Sequence, residues 1–152
     1  MNSTSAESFL DANVPVHAVD AHGSEPVKRD MALMLIAREN FGTSSRVLQE
    51  FYVTVTRKGA RPLPPSTALE WIEQLEAVPW VAFDVALIKV AIEASVRHEI
   101  NYWDATLIVA AEALGAKTLY TEDLSSGQTY GSVRVENPFL NISQVEREGD
   151  AS

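Results

Sequence analysis

Four acidic residues stand where chemistry is conceivable: Asp11, Glu50, Asp104 and Asp123. Asp11 follows the apolar pair Phe9-Leu10. Asp123 follows Leu119-Tyr120-Thr121. In a parallel α/β sheet both positions are strand ends, where the working crevice lies. Asp104 opens the stretch NYWDATLIVAAEALG, which from Ala105 to Leu114 carries only Thr106 and Glu112 as polar residues. Glu50 lies next to Phe51 and Tyr52 on a segment with helical spacing. Each acid has a plain structural reading. Asp11 can cap the helix after it, Asp123 can sit in a turn, and Glu50 can be a solvated surface charge. Asp104 can serve the first turn of a helix capped by Asn101. Taken together, three or four carboxylates in one pocket repel each other and lose hydration, so such a cluster calls for a cation.

The donor chemistry narrows which cation. The chain has no cysteine, and His17, His22 and His98 fall outside the acidic set. An oxygen-only site suits Mg²⁺ or Mn²⁺ better than Zn²⁺. Such ions bind phosphate oxygens and promote in-line attack on a phosphodiester.

These residues need a scaffold. A length of 152 residues, with 46% hydrophobic and 22% charged, makes one globular domain with a core of useful size. We expect it to span residues 7–142, with flexible termini at 1–6 and 143–152. No apolar run approaches the ~18–20 residues that cross a bilayer. The first residues have neither the basic nor the apolar part of a secretory leader. A cytoplasmic location is the expectation. The net charge of −9 argues against a general basic surface for duplex DNA. Seven of the twelve Lys and Arg lie between Lys28 and Arg61, which leaves room for a local basic rim.

Strand and helix signals alternate along the chain. Residues 8–10 read as a brief strand, and 14–20 as a short helix capped by Asn13 with Pro15 in its first turn. Ser24-Glu25-Pro26 starts a helix reaching about Arg38. Residues 40–44 read as a loop and short strand, with Ser44 or Ser45 capping the next helix. That helix carries Val47, Leu48, Phe51, Tyr52 and Val55 at helical spacing, against the strand propensity of residues 53–56. It places Arg46, Glu50, Thr54 and Arg57 on one face. Residues 61–65 form a linker, and Thr67 with Glu70 suggests a capping box for a helix to Ala77. Residues 80–83 read as a strand, Asp84 as the cap of a helix to about His98, and Gly115 as the stop of the helix that Asp104 opens. Strands follow at 117–121 and 132–135, the last ended by Asn137-Pro138. This alternation predicts a parallel sheet covered on both sides.

The ordered set of segments resembles a PIN-domain ribonuclease, of the type found as the toxin in VapBC toxin–antitoxin pairs. The matching pieces are Phe9-Leu-Asp-Ala-Asn13, the run SSRVLQEFYVTVTRK at 44–58, Tyr102-Trp-Asp-Ala105, Leu119-Tyr-Thr-Glu-Asp-Leu124 and Asn137-Pro-Phe139. The resemblance implies a three-layer α/β/α fold around a parallel sheet of about five strands. It implies metal-binding roles for Asp11, Glu50, Asp104 and Asp123, with Asn13 and Ser44 as supporting polar positions. Of the neighbours Glu122 and Asp123, the second is the one favoured to face the pocket. The implied activity is Mg²⁺- or Mn²⁺-dependent endonucleolytic cleavage of RNA, leaving a 5′-phosphate and a 3′-hydroxyl. The implied partners are an RNA substrate, a cognate antitoxin and a second copy in a homodimer. Arg46, Arg57 and Lys58 are expected to hold flanking phosphates. A non-catalytic PIN-like binding module is the alternative. A receiver domain fits poorly, because Ala12 follows Asp11 and Lys117 precedes its strand. A haloacid-type phosphohydrolase needs an acid where Asn13 stands.

Overall fold

The computed structural model describes residues 5–20, 25–57 and 61–140. Its sheet is mixed, with order β3-β2-β1-β4-β6-β5. The strands are β1 (Ser8–Leu10), β2 (Phe41–Ser44), β3 (Trp80–Val81), β4 (Thr118–Tyr120), β5 (Thr129–Tyr130) and β6 (Val133–Glu136). The helices are α1 (Asn13–Val19), α2 (Pro26–Arg38), α3 (Ser45–Arg57), α4 (Pro65–Leu75), α5 (Val85–His98) and α6 (Tyr102–Ala113). Five strands run parallel, as expected. The sixth, β5, pairs antiparallel with β6 and was not anticipated. It is two residues long, too short to show a period, and it depends on the turn at Gly131, whose φ is +58°.

The chain leaves β1 for β2 and β3 on one side and returns to β4 on the other. The topology therefore reverses between β1 and β4, which are direct neighbours. Their register pairs Leu10 with Tyr120. Asp11 and Thr121 are thus side by side, one step beyond the paired residues. The Asp11 N–H continues the ladder by donating to the Tyr120 carbonyl at 3.1 Å.

Helix α6 is the main packing element. Ala105 through Ala111 are all buried, and the helix lies against β2, β4 and β6 on one side and α5 on the other. Small residues make the second contact possible: Ala91 and Ala94 of α5 meet Ala105 and Val109. Gly42 is required by the same packing. A Cβ there would come within 2.8 Å of both Leu114 Cδ1 and the Pro79 carbonyl oxygen. Helices α1 to α4 form the other packed group.

Helix α3 forms in spite of its β-branched run. Val47, Phe51 and Val55 are buried at four-residue spacing, while Val53 is exposed. Burial of one helical face overrides local propensity. Four start signals resolve as follows. Asp84 accepts the Leu87 N–H at 2.9 Å, and Ser44 accepts the Val47 N–H at 3.2 Å. Asn13 does not cap α1; Ala12 holds the cap position and Asn13 is the first helical residue. Thr67 and Glu70 form no capping box, because α4 begins earlier, with Pro65 in its first turn. That helix ends at Leu75, short of the expected Ala77. The strand expected at 80–83 is only Trp80–Val81. Ala6 is buried, and its N–H bonds the Leu114 carbonyl at 3.0 Å. Residues 1–4, His22, Lys58 and residues 141–152 lie outside the described residues.

Candidate active site

Asp11 occupies the end of the central strand and is almost fully enclosed, at 2% exposure. Its Oδ1 accepts the Ala12 N–H at 2.7 Å. Its Oδ2 accepts the Thr121 hydroxyl at 2.7 Å and the Asn13 amide at 3.4 Å. Burial pushes its carboxyl up to about 7. The hydrogen bonds from Thr121 and Ala12 pull the other way, and the charges of Glu50 and Asp123 raise it further. Asp104 is also raised, first by burial and then by the charge of Asp123. Its bond to Asn101 and the Arg46 charge oppose this.

These influences define the site. Asp11 feels Glu50 and Asp123, and Asp104 feels Asp123. The fold thus brings the fields of all four expected acids together, from a strand end, a helix start, a helix face and a loop after a strand. Among the described residues, however, no three His, Asp or Glu side chains are gathered tightly enough to form a ready-made cation site. The carboxylates are electrostatic neighbours, not a closed coordination shell.

The donor set nevertheless fits an oxygen-seeking divalent ion. All four side chains offer carboxylate oxygens, and the ionised form of the buried Asp11 has a strong need of positive charge. The Asn13 Oδ1 beside it is buried without a hydrogen-bond partner, a further oxygen free to take part. Mg²⁺ retains several waters, so it does not require every ligand to arrive directly.

The supporting residues divide. Asn13 reaches Asp11, but the Ser44 hydroxyl is used in capping α3. Arg46 pairs with Glu50, Nη1 to Oε2 at 3.5 Å, and its guanidinium lies 4.5 Å from the centre of the Trp103 ring. Arg57 is exposed at the far end of α3, roughly 10 Å further along the axis than Glu50. Glu122 is engaged elsewhere: His17 Nε2 is 2.6 Å from its Oε1, and Lys28 Nζ is 3.4 Å from its Oε2.

Thr121 escaped the sequence reading. It is fully buried, donates to Asp11 and accepts the Asp123 N–H at 3.1 Å. One hydroxyl therefore ties the first acid to the loop that carries the last. Its only sequence signal was a hydroxyl residue directly after a strand, two positions before an acid. Trp103 was likewise passed over as the mere neighbour of Asp104.

The sequence profile of the PIN domain matches residues 8–128. The chain belongs to the PIN-domain family. Solved structures share this PIN fold at low identity. One is the VapC20 toxin of Mycobacterium tuberculosis, described as cleaving the sarcin-ricin loop. It is 22% identical, with a TM-score of 0.64 over 84% of this chain and 98% of that one. VapBC2 of Rickettsia felis, bound to a promoter DNA fragment, is 20% identical with a TM-score of 0.58, covering 86% and 97%. A toxin–antitoxin complex from Klebsiella pneumoniae is only 11% identical, yet has a TM-score of 0.64 over 86% and 97%. The comparison with curated proteins gives no match. In this PIN domain, no helix among the described residues is long and apolar enough to cross a membrane.

Proposed function

We propose that the protein is a divalent-metal-dependent endoribonuclease that hydrolyses RNA phosphodiester bonds, and that it is the toxin of a type II toxin–antitoxin pair. One observation supports the reading: at the reversal point of a parallel sheet, the buried Asp11 feels the charges of Glu50 and Asp123, and Asp104 feels that of Asp123. Glu122, by contrast, has the Lys28 ammonium 3.4 Å from one carboxylate oxygen and the His17 ring 2.6 Å from the other. Among the described residues, the one ion pair to a site acid is Arg46 with Glu50.

Asp11, Asp104 and Asp123 would hold Mg²⁺ or Mn²⁺, with Glu50 either joining them or orienting the attacking water. The ion, when bound, supplies Lewis-acid activation of water and neutralisation of charge on the phosphoryl oxygens. The residues of the chain do the rest. Thr121 and the Ala12 N–H fix the two oxygens of Asp11. Asn101 fixes Asp104 through its amide, which donates to Oδ2 at 2.8 Å. Glu50 sits on the exposed rim, where a water and a phosphate can reach it. Arg46 offers N–H donors to a flanking phosphate. The carboxylates' field repels a polyanion, so RNA binding at this site would be favoured once a divalent ion is held there.

The test is cleavage of single-stranded RNA by purified protein in Mg²⁺ or Mn²⁺, with EDTA and Asp104→Asn as controls, and end analysis for 5′-phosphate. Metal-independent cleavage, or undiminished cleavage by Asp104→Asn, defeats the enzyme reading. A protein that binds RNA and never cuts it is the non-catalytic module instead. The toxin role is tested separately: induction should arrest growth, Asp104→Ala should not, and a co-encoded antitoxin should form a stable complex. We further propose a cytoplasmic homodimer, to be measured by light scattering of the free protein.

A further inference from the structure

We propose that Trp103, backed by Arg46, is a stacking platform for an unpaired RNA base next to the scissile phosphate. The inference rests on the nuclease reading above and adds the residues that would hold the substrate beside the acids. Helix α6 is buried from Ala105 to Ala111, yet Trp103 in its first turn is 61% exposed. A large aromatic ring is thus held open to solvent immediately before Asp104. It is also not loose. The Arg46 guanidinium lies 4.5 Å from its centroid, and the Tyr102 ring meets it edge-on at 5.0 Å.

Arg46 connects this ring to the acids. It pairs with Glu50 at 3.5 Å and lowers the cost of ionising Asp104. A guanidinium over an indole ring adds a cation to the aromatic surface, and the N–H groups not turned to Glu50 can meet a phosphate. Every base has a π face, so such a stack accepts a base without reading its sequence. The base must be unpaired, because A-form duplex hides its faces. A net charge of −9 also disfavours the dense charge of a duplex, whereas a single strand can be held by one cation and one ring. A second copy of this chain is the competing occupant. It accounts for an exposed tryptophan but not for an arginine shared between that ring and two site acids.

The experiment uses the full chain carrying Asp11→Asn, which separates binding from cutting. A labelled mixed-sequence RNA of about twelve nucleotides is titrated with Trp103, Trp103→Phe and Trp103→Ala forms, in parallel with the same RNA as a duplex. The expected result is a loss of about five- to a hundredfold in single-strand affinity for Trp103→Ala. Trp103→Phe should retain most of the affinity, and duplex binding should be weak in all three. Replacing one nucleotide by an abasic linker should abolish the difference between Trp103 and Ala. Equal affinity of the Trp103 and Ala forms, absence of single-strand binding, or a changed oligomeric state with unchanged RNA affinity would each overturn the platform. If Trp103-dependent binding appears but the wild type never cuts, the nuclease reading fails and the platform stands. If the wild type cuts with unaltered KM after Trp103→Ala, the reverse holds.

Discussion

Glu122 and Asp123 are consecutive residues in opposite electrostatic situations. Glu122 is held between His17 and Lys28, with Lys28 also 3.3 Å from Glu25. Burial works against the Lys28 charge, but Glu122 and Glu25 outweigh it and raise the ammonium above its usual range. This corner is a neutralised network. Asp123 faces the other way in electrostatic terms, adding its charge to Asp11 and Asp104. The Lys28 ammonium thus lies on the Glu122 side of this peptide, whereas Asp123 adds its charge to the site, where Arg46 pairs with Glu50. On the proposed function, the difference separates an acid that holds the fold from one that would take a metal ion.

The comparison breaks most visibly if the unneutralised side is emptied. Asp11→Asn or Asp104→Asn should lower RNA cleavage by about a hundredfold or more at saturating Mg²⁺. The rise in melting temperature on adding Mn²⁺ to the wild type should vanish in Asp11→Asn. The fold should survive, since Asn keeps the shape and removes repulsion. Glu122→Gln should do the reverse. It removes the anion shared by His17 and Lys28 and leaves Lys28 with Glu25 alone, lowering stability by about 1 kcal/mol, while cleavage stays within a few-fold of wild type. Loss of cleavage in Glu122→Gln equal to that in Asp123→Asn would erase the distinction.

A pH series gives the second effect. The Asp11 carboxyl moves from 3.8 to about 7 in the metal-free fold, with burial the first cause. Between those values the folded protein keeps a proton that the unfolded chain has released. Stability from this group is therefore intact at low pH and is lost as pH rises through about 7, by on the order of a few kcal/mol. Melting curves in EDTA across this window should slope downward for the wild type and be flatter for Asp11→Asn. Saturating Mg²⁺ should remove the difference at alkaline pH, because the ion takes the place of the proton. A wild type and Asp11→Asn with parallel pH slopes would mean that Asp11 is solvated or already balanced.

What was legible in the sequence follows the range of the interactions. Local signals worked: Asp84 and Asn101 cap their helices, Gly115 turns at φ +71°, and the four-residue spacing of Val47, Phe51 and Val55 outranked the β-branched run. Asp11 and Asp123 stood out because acids after strand ends are locally visible. What failed depended on partners far along the chain. The Thr121 bond to Asp11 spans 110 positions and exists only through the β1–β4 register. Arg46 on Trp103 needs α3 and α6 brought together. Strand β5 has no pattern of its own and is defined by β6. The tightness of the acid set was also beyond the sequence. The fold couples the four charges without closing them into one shell, a matter of side-chain reach that spacing does not encode.

The smallest effect compares two helix caps, one in the site and one outside it. Asn101 and Asp84 do the same local work, each accepting an N–H three residues on at 2.9 Å. Replacing either by Ala should cost about 1 kcal/mol. Asn101 has a second bond, from its amide to Asp104 Oδ2, and this bond opposes the burial and the Asp123 charge that raise Asp104. Asn101→Ala should therefore also shift the Mg²⁺ dependence of cleavage several-fold to higher concentration, while Asp84→Ala leaves it unchanged. Asn101→Asp keeps the cap acceptor but sets a second negative charge, beside that of Asp123, against Asp104, so it should restore stability without restoring metal response. If all three variants differ in melting temperature alone, Asp104 needs no second residue to aim it. The cap and the ligand would then be independent features of one helix start.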